Sequence, residues 1–469
     1  MQSNVLKKII LFSFTCLIYM VGSCQTQTNK TLKRNVFLGA RLVDLSAIEE
    51  DLGTNSGIYL SEILPNASLG QMGVPKGTIL QKINHNTISS LVDLRPALLG
   101  IKEGDDLKIT VFENGQQKIY QGTAIGKVKE EHPHATVQYG VVHYTDNLLR
   151  SILYLPNDKK QPPVVFFIQG YTCQSIEMQN SNPAKQLIDY WIKEGYAVFL
   201  VEKPGMGDSK SKIPCMDIDF DQELMAFTKA YEALQKNQAI DANNIFLFGH
   251  SMGGIIAPLL AKKHTPSGIM VYGIVGKNWY DYMIDIYTEQ PLIMGGTNQE
   301  IEENKKYYLP FIKDMLVHQQ TNTELLKNPI YSDRLKADGV SETLREGYYI
   351  QRHYTYWQSL ANIQVPQAWA SVKSPVLVLH GEYDIQAIHP KYGEMISTNV
   401  NKHNGNATFQ LIPKTEHAFL KFDSREQLQT VMQNGTYINT FVTHFNTEIA
   451  TKSIAWMKKH SNVIKNKVK

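Results

Sequence analysis

The chain has 469 residues and a formal net charge of +3, and its 43% hydrophobic and 19% charged content is that of a soluble globular protein of two or three domains. No basic stripe accompanies this small charge, which excludes nucleic acid as a partner. Removal of the first 23 residues takes Lys7 and Lys8 with it and leaves +1.

Lys7 and Lys8 precede an apolar run from Ile9 to Val21, long enough for a signal core and short for a bilayer span. Residues 1–23 are therefore expected to be a signal peptide. The run ends in Val21-Gly22-Ser23-Cys24, which resembles a bacterial lipobox, with Val21 where Leu is usual and Ser23 where Gly or Ala is usual. The resemblance implies lipidation of Cys24 and a membrane-anchored, extracytoplasmic (periplasmic or cell-surface) protein, with plain secretion as the alternative. Of the four cysteines, Cys16 falls in the signal, and only Cys173 and Cys215 remain in the folded part. No Cys/His spacing suggests zinc, so neither a metal nor a cofactor is expected.

Residues 32–127 read as a small β-rich module. Strands are expected at Ile58–Ile63, Thr78–Ile83 and Leu107–Phe112, from their alternation of apolar and polar residues. Asn114-Gly115 is a hairpin turn signal. A helix over Leu91–Leu99 should be kinked or shortened by Pro96. Phe37-Leu38-Gly39-Ala40, Leu64-Pro65-Asn66-Ala67-Ser68 with Gly73, and Ile83-Asn84-His85-Asn86-Thr87-Ile88 together resemble a PDZ domain of the type attached to bacterial periplasmic proteases. The resemblance implies a groove in which Phe37, Leu38, Gly39 and Ala40 form the carboxylate loop for a peptide C-terminus. The competing reading is a spacer or a wall over the next domain.

The charged segment Lys127–Pro133 reads as a linker. Beyond it, residues 134–469 alternate strands and helices. Strands are expected at Thr136–His143, Arg150–Leu155, Val164–Ile168, Ala197–Glu202, Asn244–Phe248, Gly268–Ile274, Val376–Leu379 and Thr408–Ile412. From the third onward they are mostly continuous apolar runs, as in a parallel sheet covered on both faces. Helices are expected at Pro183–Glu194, Phe220–Asn237 and Met252–His264, with Asn182 as an N-cap before Pro183. The alternation implies an α/β sheet. Residues from about 277 to 368 interrupt it and are rich in Trp, Tyr and Met, among them Trp279, Tyr282, Met283 and Trp357; they read as an inserted, mostly helical cap. Most of these side chains pack the cap, and a few are expected to line a substrate pocket.

Gly249-His250-Ser251-Met252-Gly253-Gly254 follows the apolar run Ile245–Phe248 and opens a helix. In this setting G-x-S-x-G is a nucleophile elbow: Ser251 sits on a cramped turn where Gly249 and Gly253 leave room for the backbone. A serine hydroxyl needs a base, and His417 lies just past the last strand. The strand Val376–Leu379 runs into Gly381-Glu382-Tyr383-Asp384, which offers the carboxylate to orient that base; Asp384 is favoured, with Glu382 the runner-up. His250, His380 and His143 read as structural. These motifs, in the order Ser251, Asp384, His417, resemble the α/β-hydrolase superfamily. The resemblance implies an eight-stranded, mostly parallel sheet with helices on both faces, and an acyl-serine intermediate. It places the oxyanion hole at the N–H groups of Met252 and Tyr171, the latter in Gln169-Gly170-Tyr171 where the family usually has His-Gly. Val201-Glu202-Lys203-Pro204-Gly205-Met206-Gly207-Asp208-Ser209 is similar to the superfamily's D-x-R-G-x-G-x-S loop. The fold sets this loop beside the oxyanion loop, which implies a Cys173–Cys215 disulfide.

The sequence points first to an exported carboxylic ester hydrolase acting on a small-molecule or lipid ester. The alternatives are an aminopeptidase-like serine peptidase, for which Glu289, Glu300, Glu302 and Glu303 of the cap would have to hold the substrate amine, and an inactive binding protein in which the PDZ-like module does the work.

Overall fold

The computed structural model describes residues 32–461, apart from Glu49 and Asp51. The expected signal peptide and Cys24 lie outside the described residues. In chain order the strands are β1 (Ala40–Asp44), β2 (Ile58–Ile63), β3 (Ile79–Ile83), β4 (Asn86–Thr87), β5 (Asp106–Glu113), β6 (Gln116–Thr123), β7 (Ala135–Tyr144), β8 (Asn147–Pro156), β9 (Val164–Ile168), β10 (Ala197–Val201), β11 (Ile245–His250), β12 (Gly268–Tyr272), β13 (Tyr348–Tyr349), β14 (Arg352–His353), β15 (Val376–Gly381) and β16 (Ala407–Ile412).

β1 to β6 form one antiparallel sheet in the order β1-β2-β3-β5-β6, with β4 pairing β3. Ile58, Leu60, Leu80, Ile83, Leu107, Ile109 and Val111 bury its inner face in a core of its own. The Asn114-Gly115 turn, both residues at positive φ, joins β5 to β6. No apolar alternation marks β6, because nearly all of its side chains face solvent. Pro96 sits in a helix of only Leu94–Leu98, preceded by a 3₁₀ turn at Leu91–Asp93.

The second sheet has eight strands in the order β16-β15-β12-β11-β9-β10-β8-β7. The pairs β7–β8 and β8–β10 are antiparallel and the rest are parallel. Both faces are covered, so alternate residues of one strand enter different cores. Val164, Phe166 and Ile168 pack against the helices Phe220–Gln235 and Gly253–Lys263, and Val165 and Phe167 against Pro183–Lys193 and Thr447–His460. Asn182 caps the helix Pro183–Lys193 by accepting from the Ala184 N–H. Helices and the β13–β14 hairpin build the segment between β12 and β15.

Most of the segment 127–133 is exposed, and Glu130 and His132 anchor it. Tyr154 and Lys185 bond the Glu130 carboxylate, Tyr139 accepts from the Glu130 N–H at 2.9 Å, and His132 approaches Asp189 at 3.3 Å. These partners lie on β7, β8 and the helix Pro183–Lys193. Arg34 bolts the two sheets together: its buried guanidinium pairs with Asp208 and, at 2.6 Å, with Glu177.

Candidate active site

β11 ends in the turn that presents Ser251. This serine has φ +54°, a left-handed conformation that a non-glycine residue adopts only where the surroundings impose it. The surroundings are tight: a Cβ on Gly253 would lie 2.1 Å from the Ile168 carbonyl oxygen, and one on Gly249 would lie 2.6 Å from that of Gly253. The helix Gly253–Lys263 starts directly behind, so its N-terminal partial charge faces the serine.

The loop after β16 delivers His417 and the turn after β15 delivers Asp384. His417 Nδ1 lies 2.8 Å from Asp384 Oδ2 and 3.0 Å from Oδ1, and both side chains are buried. Asp384 Oδ1 also accepts the Gln386 and Ala387 N–H groups, each at 2.8 Å. Burial alone would raise the carboxyl pKa, but the charge and hydrogen bond of His417 outweigh it and hold Asp384 down at about 2. For His417, burial opposes the charged ring, and the Asp384 carboxylate reverses this and raises its pKa above the ordinary value. Glu382 is turned elsewhere, accepting from the Lys414 N–H at 2.7 Å.

Among the described residues, His417 Nε2 is buried without a hydrogen-bond partner, and Ser251 Oγ makes no hydrogen bond. Both side chains line the same two cavities. A serine hydroxyl turns about a single bond, and such contacts tighten when substrate fills a site. Likewise, the N–H groups of Tyr171 and Met252 donate to no described residue.

Residues 164–424, more than half of the chain, match the family described as serine aminopeptidase, S33. The chain belongs to that family. It is a serine hydrolase of the α/β-hydrolase superfamily, and the eight-stranded mixed sheet fits that fold. None of the curated proteins matches the hydrolase. Among solved structures it is similar to Est1E from Butyrivibrio proteoclasticus with ferulic acid bound, at 16% identity over 63% of this chain and 96% of that one, with a TM-score of 0.40. It is also similar to proline iminopeptidase from Mycobacterium smegmatis, at 14% identity over 69% and 98% of the two chains, with a TM-score of 0.43. The thermophilic carboxylesterase EstE1, cloned from a metagenomic library, shares 14% identity over 70% and 91%, with a TM-score of 0.40.

Two cavities of the hydrolase meet at Ser251. One, of about 220 Å³, lies under the helices of the inserted segment and is lined by Trp279, Tyr282, Met283, Ile286 and Trp357 together with Tyr171. The other, of about 350 Å³, is lined by Phe167, Leu200, Phe419, Phe441, Gln169 and Tyr437 among others. Neither has an Asp, Glu, Lys or Arg in its lining. The four glutamates offered for a substrate amine do not reach the site. Glu289 pairs with His389 and Lys391, Glu302 with Lys305 and Glu303 with Arg334, while Glu300 lies exposed. They belong to the outer surface, where exposed charges find exposed partners.

Cys173 and Cys215 form a disulfide with Cα atoms 5.9 Å apart. Gly205 and Gly207, at φ +73° and +50°, shape the loop after β10. Three features escaped the sequence reading. His250 is more than a bystander, since its Nε2 bonds the His417 carbonyl oxygen at 2.9 Å. Glu416, beside His417, accepts from Tyr437 and from the Ala418 and Leu420 N–H groups. Lys203, Glu223 and Arg352 form a buried ion cluster beneath the oxyanion loop. Only Lys203 carried a signal, its place in the loop motif after β10. Among the described residues, no group of three or more His, Cys, Asp or Glu is placed to hold a metal ion.

Proposed function

We propose that this protein is an exported carboxylic ester hydrolase with Ser251, His417 and Asp384 as its catalytic residues. The observation that carries the reading is the neutral lining of both cavities at Ser251. An aminopeptidase has to hold a substrate ammonium, and a desolvated ammonium needs a carboxylate beside it. An ester asks only for an apolar acyl cavity and a second cavity for its alcohol half. Ser251 Oγ attacks the ester carbonyl as its proton passes to His417 Nε2, the tetrahedral oxyanion takes the Tyr171 and Met252 N–H groups, and His417 returns the proton to the departing alkoxide. Water then hydrolyses the acyl-serine by the same route. The Cys173–Cys215 disulfide supports an oxidising, extracytoplasmic location.

A fluorophosphonate should label the wild type at Ser251, and Ser251→Ala should abolish labelling. Turnover of p-nitrophenyl acyl esters should exceed that of aminoacyl p-nitroanilides by orders of magnitude. Preference for the anilides would reverse the assignment, and an unlabelled wild type would leave the inactive binding protein.

For residues 32–127, a PDZ-like peptide-binding role is supported by the open outer edge of β1, where the Leu38 and Gly39 N–H groups at its head donate to no described residue. Isothermal titration with a panel of C-terminal peptides, free and amidated, tests it. Binding lost on amidation is the expected result.

A further inference from the structure

The two peptides that flank the Tyr171 Cα are held from below by charges that no step of the reaction uses. Lys203 Nζ donates to the Gly170 carbonyl oxygen at 2.5 Å, and Arg352 Nη1 donates to the Tyr171 carbonyl oxygen at 2.6 Å. Both cations converge on one carboxylate, with Lys203 Nζ 2.9 Å from Glu223 Oε1 and Arg352 Nη1 2.8 Å from Glu223 Oε2. The side chains of all three are fully buried. Arg352 arrives on β14, from the segment inserted between β12 and β15. Its guanidinium carbon lies 3.7 Å from the Tyr356 ring centroid, and its Nη2 reaches the Ile218 carbonyl oxygen at 3.3 Å. The same hairpin is pinned to the 3₁₀ turn at Cys215–Asp217 by Tyr348, whose hydroxyl donates to Asp217 at 2.6 Å.

We propose that Lys203 and Arg352, locked on Glu223, are positioning residues for the oxyanion hole, so that the hairpin Tyr348–His353 is part of the catalytic apparatus rather than only a lid. The inference rests on the serine-hydrolase reading of Ser251 and deepens it. In a trans peptide the C=O and the following N–H point in opposite directions within one plane. A cation that fixes the Gly170 carbonyl therefore fixes the direction of the Tyr171 N–H, the proposed oxyanion donor. Hydrogen bonding to a carbonyl also polarises its peptide and strengthens the N–H on the far side. Two cations share one carboxylate, so the cluster carries an excess positive charge beneath the site where negative charge develops. Stability alone is a poor reason for such a cluster, because buried ion pairs are often replaced by apolar groups without loss.

The test uses the full-length protein and two variants. Lys203→Met removes one cation and leaves Glu223 paired with Arg352. Arg352→Lys keeps the charge but loses the planar fork, whose Nη1 serves Tyr171 and Glu223 while its Nη2 holds the Ile218 carbonyl. Active sites are counted by fluorophosphonate titration, and kcat and KM are measured on a p-nitrophenyl ester. The Ki of an alkyl boronate, whose tetrahedral adduct occupies the oxyanion hole, is measured alongside. We expect kcat per titrated site to fall about 10- to 100-fold in each variant with KM within about threefold, and the boronate Ki to rise by a matching factor. If either variant does not fold, the other carries the test. Titrated sites that turn over at the wild-type rate and bind boronate equally well, with only thermal stability reduced, would overturn the proposal and leave Ser251 chemistry intact. A wild type that fluorophosphonate does not label would overturn both readings, a result the variants cannot imitate.

Discussion

On the imidazole side of Ser251 the backbone from Thr415 to Leu420 is held by hydrogen bonds of neutral donors. His250 Nε2 donates to the His417 carbonyl at 2.9 Å, Tyr272 donates to the Glu416 carbonyl at 2.7 Å, and the Glu416 carboxylate takes the Ala418 and Leu420 N–H groups at 2.8 and 2.9 Å. Burial and the nearby His417 charge push the His250 pKa down to about 3, so its ring stays neutral and keeps one N–H to give. On the oxyanion side the work is done by buried cations, one of them from the hairpin β13–β14, and by the disulfide from Cys173 to Cys215. The first arrangement depends only on the sheet and its own loops. The second depends on where the inserted segment sits, so movement of that segment would disturb the oxyanion hole while leaving the Asp384–His417 pair untouched.

The largest separation between the two sides should come from Asp384→Asn. It preserves shape but removes the charge that orients His417, and kcat/KM should fall about 10⁴-fold in a protein with native circular dichroism. The base must be neutral to accept a proton, so wild-type kcat/KM is lost as pH falls through the raised His417 pKa. In Asp384→Asn the inflection should move to lower pH, and an unmoved inflection would exclude His417 as the titrating base. On the other side, Cys173→Ser with Cys215→Ser opens a loop of 42 residues, which the chain-entropy model values at about 4 kcal/mol. Denaturant unfolding should show most of that loss, with the His417 inflection unchanged.

Glu202 sharpens the contrast within the oxyanion side. It precedes Lys203 and is equally buried, yet among the described residues no cation pairs with it and its Oε2 is unpartnered. Burial pushes its carboxyl up to about 8, only partly offset by the Ser175 hydroxyl and Ile176 N–H. Between its ordinary value of 4.5 and about 8 the unfolded chain releases this proton and the folded chain keeps it, so folded-state stability drains away as pH rises through that window. Glu202→Gln has no proton to release. Its denaturation midpoint should match wild type near pH 4.5 and exceed it increasingly towards pH 8; a constant offset would mean that Glu202 is ionised in the folded protein.

The same contrast explains what the sequence disclosed. Ser251 and Asp384 were legible because each follows an apolar strand buried on both faces, and because the glycines around Ser251 answer a steric demand local to one turn; His417 was legible from its place just past the last strand, β16, at the edge of the sheet. The pairing of Cys173 with Cys215 came from the resemblance to the α/β-hydrolase fold, which sets their two loops on neighbouring strands. The Lys203–Glu223–Arg352 cluster was not legible, since its members are separated by 20 and 129 positions and only Lys203 stands in a recognisable motif. The polar strand β6 was missed because a strand with nearly every side chain exposed has no periodicity to read.

The smallest expected effect belongs to His250→Phe. Its ring packs 4.5 Å from Phe419 and 5.0 Å from the His417 ring, centroid to centroid, so a phenyl group keeps most of that packing and removes the donor to the His417 carbonyl. A buried carbonyl deprived of one donor costs about 1–2 kcal/mol, and a loss of about 1.4 kcal/mol borne in the transition state is tenfold in kcat/KM. The Asp384–His417 contact is untouched, so the pH inflection should stay at its wild-type position, in contrast to Asp384→Asn. If His250→Phe moves the inflection as far as Asp384→Asn does, His250 acts on the charge of His417 rather than on its backbone. The imidazole side would then depend on electrostatics as much as the oxyanion side does.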